Sequence, residues 1–308
     1  MNGSPVSAVV GVLLMAHGTP ASVAEIEPFY TRIRRGRAPT ADQLAELEGR
    51  YRAIGGVSPL AERTARQVDA VRAELAARRP GRYAVSFGAK HTDPLIEEAA
   101  AALADGGVAR IIGLVLTPHG SSMGSQEYLD RAEAAAGSTP LVAVGPWYAE
   151  PALVSVLAAR VADAVARRAA QRTHVLFTAH SLPERIRTAG DTYPEQLEES
   201  ARLVAGAAGL SSWGVAWQSA GRTPEPWLGP DVRDEVRRLA AEGATDAVVV
   251  CPIGFVADHL EVLYDLDVEV AAVAAGCGLA YGRTTSLNDD PDFVAVLADV
   301  ITAADGPR

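Results

Sequence analysis

The sequence predicts an α/β protein made of two similar halves, each a parallel sheet flanked by helices, around a central cleft. Two observations carry this. Short Val/Ile/Leu runs alternate with longer Ala/Glu/Arg segments of helical period, which is how a sheet covered on both faces by helices reads. The sequence also repeats itself: VLLMAHGTP at 12–20 lies over VLFTAHSLP at 175–183 with five of nine residues identical. The next runs correspond as YAVSFG with WGVAWQ, and the third runs end alike as VLTPHG and VVCPIG.

The elements follow in order. Residues 9–16 form a first strand, too short to span a bilayer and without the basic flank of an export signal. Further strands are predicted at 83–88, 111–117, 141–144, 175–179, 214–218 and 247–251. A seam near residues 146–151 divides the chain into an N-terminal domain, 1–148, and a C-terminal domain, 149–308. A long helix follows the seam to about residue 170, and a last helix at about 290–303 could pack on either half.

A net charge of -10 excludes the broad basic surface that nucleic acid or an anionic membrane requires. With two cysteines, Cys251 and Cys277, there is no disulfide framework and no CxxC metal site, which fits a reducing cytoplasm.

In open α/β sheets, ligands bind outside the carboxyl ends of the strands. That rule selects His17 and His180 at equivalent strand ends, Lys90 and His91 after the second strand, and His119 after the third. It also selects the loop from Ile253 and Gly254 to the helix bearing Glu261. His174, at a strand start, reads as structural, and His259 as a weaker candidate than its neighbour Glu261.

In ADHLEVLYDLDVEV, Glu261, Asp265 and Glu269 recur every four residues, so they share a helix face and offer oxygen ligands to a divalent cation. At about 3.6 residues per turn the row drifts, and a π-bulge would straighten it. A solvated acidic stripe is the alternative, but the apolar flanks argue for a buried Glu261. Arginines concentrate in TRIRRGR at 31–37 and GRYRAIGGVSPL at 49–60, which suits a substrate with several carboxylates. Tyr30, Tyr51, Ile54 and Leu60 among them add apolar surface for a flat aromatic ligand.

AHSLPE at 179–184, YPEQLEESARLVA at 193–205, WQSAGRTPEPWLGPDV at 217–232 and GFVADHLEVLYDLD at 254–267 resemble ferrochelatases. The nearest resemblance is to the soluble coproporphyrin III enzymes of Gram-positive bacteria, and it covers nearly the whole chain. It implies two Rossmann-like domains around a porphyrin cleft, in a cytoplasmic monomer, with His180 and Glu261 handling metal and pyrrole protons. Arg34, Arg50, Tyr51, Ser58 and Tyr128 would contact the macrocycle or its propionates. Asp265 and Glu269 would form an accessory cation site, for Mg2+ for example.

His17 stands where close relatives carry tyrosine, so it is expected near both metal and porphyrin. The closing TAADGPR has no cysteine, so no iron–sulfur cluster is expected, nor an organic cofactor. The expected substrates are Fe2+ and coproporphyrin III, with a coproheme decarboxylase as downstream partner. A neutral His180 is expected as proton acceptor. Two other readings stay open: a cobalt or nickel chelatase for another tetrapyrrole, motivated by His17 and His180, and a non-catalytic porphyrin carrier.

Overall fold

The computed structural model describes residues 8–168 and 172–306. The first sheet holds β1 (Val10–Ala16), β2 (Tyr83–Ala89), β3 (Ile111–Val115) and β4 (Leu141–Ala143). The second holds β5 (Thr173–His180), β6 (Trp213–Gln218), β7 (Ala247–Cys251) and β8 (Ala280–Arg283). All strands are parallel, in the orders β2-β1-β3-β4 and β6-β5-β7-β8. The two sheets thus have one topology, as the internal repeat requires. β1, β3 and β7 are almost wholly buried, which is why their sequences run apolar instead of alternating.

One strand escaped the sequence reading. β8 is AYGR, four residues with a glycine and an arginine, and carries too little apolar signal to be seen before β7 is there to pair with it.

Helices cover both sheets: α1 (Ile26–Ile33), α2 (Ala41–Ala53), α3 (Leu60–Arg78), α4 (Ile96–Asp105) and α5 (Ser125–Ala135) in the first half. The second half has α6 (Pro151–Ala166), α7 (Arg185–Thr188), α8 (Tyr193–Ala207), α9 (Val232–Glu242), a π-helix (Glu261–Val270), α10 (Ala271–Gly276) and α11 (Pro291–Asp305). The expected continuation of α6 to about 170 runs into residues 169–171, outside the described residues.

α11 packs on α3, β3 and α6, so the end of the chain crosses back onto the first half. Asp305 fixes it there, accepting from Arg79 (3.0 Å), Arg82 (2.7 and 3.0 Å), Arg110 and the Tyr83 hydroxyl (3.0 Å). One apolar core runs through both halves, joining Leu14 and Ile112 of the first sheet to Phe177 and Val249 of the second through Trp147, Leu153 and Phe293. The halves are joined by this core, and on another side by Tyr51 and Ile26 packing against Leu260 and by the Arg50 to Asp265 ion pair. Among the described residues, no helix is long and apolar enough to cross a membrane.

Candidate metal-handling cleft

β5 and β7 are adjacent in the second sheet, and the chain leaves their carboxyl ends at His180 and after Cys251. That strand order places the ends where ligand crevices form in open α/β sheets. Gly254 makes the arrangement possible: its N–H donates to the Thr178 carbonyl, so close to β5 that a Cβ there would lie 2.9 Å from Ala179 Cα. The chain then turns into the π-helix, whose first residue is Glu261.

His180 Nε2 lies 3.4 Å from Glu261 Oε1, and each side chain keeps about a third of its surface open (35% and 31%). His180 Nδ1–H donates to the Ser181 carbonyl at 2.5 Å, which leaves Nε2 facing the carboxylate. Further bonds brace the pair. The Tyr193 hydroxyl donates to the His180 carbonyl at 3.0 Å, and Gln218, beside His180 in register on β6, donates to the Glu261 carbonyl at 3.1 Å.

Burial is the largest influence on His180 and disfavours its charge, but the attraction and hydrogen bond of Glu261 outweigh it and raise the imidazole to about 9. Burial likewise pushes Glu261 up, and the imidazoles of His180 and His259 overcome it, holding the carboxyl well below its ordinary range. The resting pair is imidazolium and carboxylate. The neutral imidazole expected of His180 as proton acceptor therefore requires that the charge of Glu261 first be offset.

His259, the weaker candidate in the sequence, also reaches the carboxylate. Its Nε2 lies 3.6 Å from Glu261 Oε2, so the carboxylate sits between two imidazoles. A spacing of two residues suggests opposite helix faces, but His259 precedes the π-helix, in the loop, and its ring turns back onto it.

Glu261, Asp265 and Glu269 line one cavity of about 180 Å3 with Arg50, Arg222 and Arg233. Steps of four residues overshoot an α-helical turn and undershoot a π-helical one, so the row stays on one side. The predicted local π-bulge is here a π-helix of ten residues. Each lower carboxylate has a cationic partner: Asp265 accepts from Arg50 and Ser219, and Glu269 pairs with Arg233 at 3.4 Å. Burial foremost raises the Asp265 carboxyl above its ordinary range despite Arg50. Among the described residues, no three His, Cys, Asp or Glu side chains are grouped to hold a metal ion without rearrangement.

The basic segments separate. Arg50 turns to Asp265, across the cleft, and also lies over the Tyr264 ring at 4.9 Å, while Arg52 stays on the surface. Arg34 packs over Tyr30 and donates to the Arg37 carbonyl at 3.2 Å. Tyr51 is buried against Ile26 and Leu260, and Ser58 is buried with its hydroxyl accepting from the Leu60 N–H. Tyr128 packs in a core cluster with Leu13 and Ile96, and Lys90 Nζ lies 5.0 Å from its ring centre.

On the opposite lobe, His17 is exposed after β1, near enough to Glu261 and His180 for both charges to act on it. His119 does not join the rim: it is 2% exposed and stacks on Tyr148. Its loop instead closes the seam between lobes, where Gly120 exchanges hydrogen bonds with Gln196. His174 is structural as expected, its Nδ1 2.8 Å from the Ser212 hydroxyl.

A family model described as ferrochelatase matches residues 9–305. The chain belongs to the ferrochelatase family. Among curated relatives, the coproporphyrin III ferrochelatase of Geobacillus kaustophilus is 43% identical over 303 residues, covering 96% of both chains. That of Bacillus subtilis is 42% identical over 299 residues, covering 95% of this chain and 96% of its own. Among solved structures, the sirohydrochlorin chelatase SirB from Bacillus subtilis subspecies spizizenii, in complex with cobalt, aligns with TM-score 0.59 at 11% identity, covering 96% and 95%. CbiX, the terminal enzyme for siroheme biosynthesis in denitrifying bacteria, aligns with TM-score 0.58 at 16% identity, covering 96% and 99%. These two likenesses establish the two-domain chelatase fold. The family in turn makes the chain a porphyrin metal chelatase with iron as the metal of its reaction.

Proposed function

We propose that this chain inserts Fe2+ into coproporphyrin III, giving coproheme, with 1–148 and 149–308 as the two jaws around the macrocycle. The observation that carries the reading is the His180 to Glu261 contact of 3.4 Å beyond the carboxyl end of β5. The names and 42–43% identity of the Gram-positive relatives support the choice of porphyrin.

The proton balance follows from the electrostatics. Insertion replaces two pyrrole N–H bonds with metal–nitrogen bonds and releases two protons. In the resting cleft, Glu261 holds a proton on His180, which cannot then act as a base. A cation arriving at Glu261 cancels that attraction, and the burial that disfavours the imidazolium expels the proton. Neutral His180 then takes one pyrrole proton, as a general base whose affinity has been switched by the substrate metal, while the proton it gave up and the second pyrrole proton pass to water and leave along the Asp265 and Glu269 carboxylates.

Asp265 and Glu269 lead the cation in and the protons out, and they offer oxygen ligands to an accessory divalent ion such as Mg2+ once Arg50 and Arg233 yield. Arg34, Arg50, Tyr51, Ser58, Tyr128 and His17 serve the macrocycle side. The chain acts as a monomer in the cytoplasm, needs no organic cofactor or iron–sulfur cluster, and hands its product to a coproheme decarboxylase.

The test is anaerobic turnover with Fe2+ and either porphyrin, followed by the Soret band. Faster insertion into coproporphyrin III is expected. Equal or faster insertion into protoporphyrin refutes the porphyrin assignment, and no turnover with iron refutes the metal assignment.

A further inference from the structure

Asn288, in the loop between β8 and α11, bonds with its backbone and its side chain to the segment that leads to Glu261. Its N–H donates to the Val256 carbonyl at 2.8 Å, its Oδ1 accepts from the Asp258 N–H at 2.9 Å, and its Nδ2–H donates to Asp258 Oδ2 at 2.9 Å. The backbone there is left-handed, with φ of 47°, a conformation asparagine takes more readily than most residues bearing a Cβ. The Asn288 carbonyl accepts in turn from Gln67 Nε2 at 2.8 Å. Gln67 comes from α3 in the other half and is 1% exposed. The same nitrogen also donates to the Val256 carbonyl at 3.3 Å, so both halves meet on one loop carbonyl.

Between the clamped Val256 and Asp258 lies Ala257, whose carbonyl accepts from His259 Nδ1–H at 3.0 Å. Phe255 backs the same ring, with centres 4.7 Å apart and planes tilted 47°. The other ring nitrogen, Nε2, is the one 3.6 Å from Glu261 Oε2. A hydrogen bond at Nδ1 fixes the direction of Nε2, as outer groups orient the imidazoles of metal sites. A loop shift of about an ångström would carry that contact out of reach, so the place of the ring depends on what holds residues 256–258. Ser286 Oγ, at 2.6 Å, and Arg283, at 3.4 Å, complete the bracket on Asp258.

We propose that Asn288 is a positioning residue for His259, and through that ring for the Glu261 carboxylate, with Gln67 tying the same loop to the opposite half. The inference rests on the reading of Glu261 as the group that receives the metal. Neither Asn288 nor Gln67 lines the carboxylate cavity, so both act on the chemistry only through the loop they hold.

The experiment compares the full chain with Asn288→Gly and Gln67→Met. Glycine accepts φ of 47° and keeps the backbone bonds while removing the two side-chain bonds to Asp258, and methionine keeps the shape of Gln67 without its donors. The first readout is the 1H–13C spectrum of the ring Cε1–H groups of the six histidines, without metal or porphyrin, with the His259 signal assigned by its loss in His259→Gln. That signal should shift or broaden in both variants, while those of His119 at the seam and His174 at the far end of β5 stay in place. The second is turnover with Fe2+ and coproporphyrin III, where Asn288→Gly should lower kcat about tenfold or more and leave KM for the porphyrin unchanged. Added to His259→Ala, Asn288→Gly should lower kcat little further, because it acts through that ring. An unchanged His259 signal in both variants, a change spread over all six histidines, or independent losses in the double variant overturns the proposal. The ring spectrum uses neither iron nor porphyrin, so it decides the positioning whatever the insertion assay gives.

Discussion

His180 and Glu261 fix each other's charge: the imidazole nitrogen and the carboxylate oxygen are 3.4 Å apart, and each shifts the other's proton affinity against the effect of burial. Removing the carboxylate should therefore be read first at the histidine. In Glu261→Gln, burial remains while the attraction is lost, so the His180 imidazole should fall from about 9 to its ordinary 6.5 or below, as followed by NMR titration. An imidazole still titrating near 9 would show that Glu261 is not what holds the proton.

The same pair sets a pH window for stability. A raised His180 contributes fully below about 6.5 and loses its contribution as pH rises through about 9, whereas a depressed Glu261 contributes fully above 4.5 and loses it in acid. The stability advantage of wild type over Glu261→Gln should thus be widest between about 4.5 and 6.5 and shrink toward pH 9. Urea unfolding across this range measures it, and a difference that grew with pH would contradict the pairing.

His180→Ala should lower iron insertion by about 100-fold or more while leaving porphyrin affinity within a few fold. The readouts are Soret-monitored turnover and fluorescence quenching of bound porphyrin. Retained turnover would remove His180 from the proton path.

Arg50→Ala should cost about 1–3 kcal/mol at neutral pH, because the Asp265 side chain is left only 8% exposed without its cation. The loss stays below that of a fully buried pair, since Arg50 itself is 27% exposed. A double-mutant cycle with Asp265→Asn, read by urea unfolding, should show the two changes to be strongly non-additive.

Gly254→Ala should damage the site without touching it. Its Cβ would meet Ala179 Cβ at 2.5 Å and Cα at 2.9 Å, and a backbone atom cannot rotate aside. We expect about 1–3 kcal/mol of destabilisation and a loss of insertion activity, as β5 is pushed away from the loop before His180. Wild-type unfolding and turnover in this variant would mean the approach relaxes freely.

The parallel halves were legible because buried parallel strands must be apolar throughout: VLLMA and VLFTA announce β1 and β5 without reference to any neighbour. The rim position of His17 and His180 followed from the strand-end rule, and the shared face of Glu261, Asp265 and Glu269 from their spacing. β8 was missed because its four residues become a strand only by pairing with β7, and His119 was misplaced because no local pattern reports that a loop is folded inward onto Tyr148.

Local sequence thus determined the strands, the repeat and the chemistry on offer, since each depends on residues close together in the chain. Which groups meet was decided by the tertiary structure alone. Arg50 turning from a basic cluster to Asp265, His259 joining Glu261, and α11 crossing to the first half under the arginines around Asp305 are all contacts between distant segments. So is the protonated state of His180, because a charge is set by whatever lies within a few ångströms in space, and a sequence measures distance only along the chain.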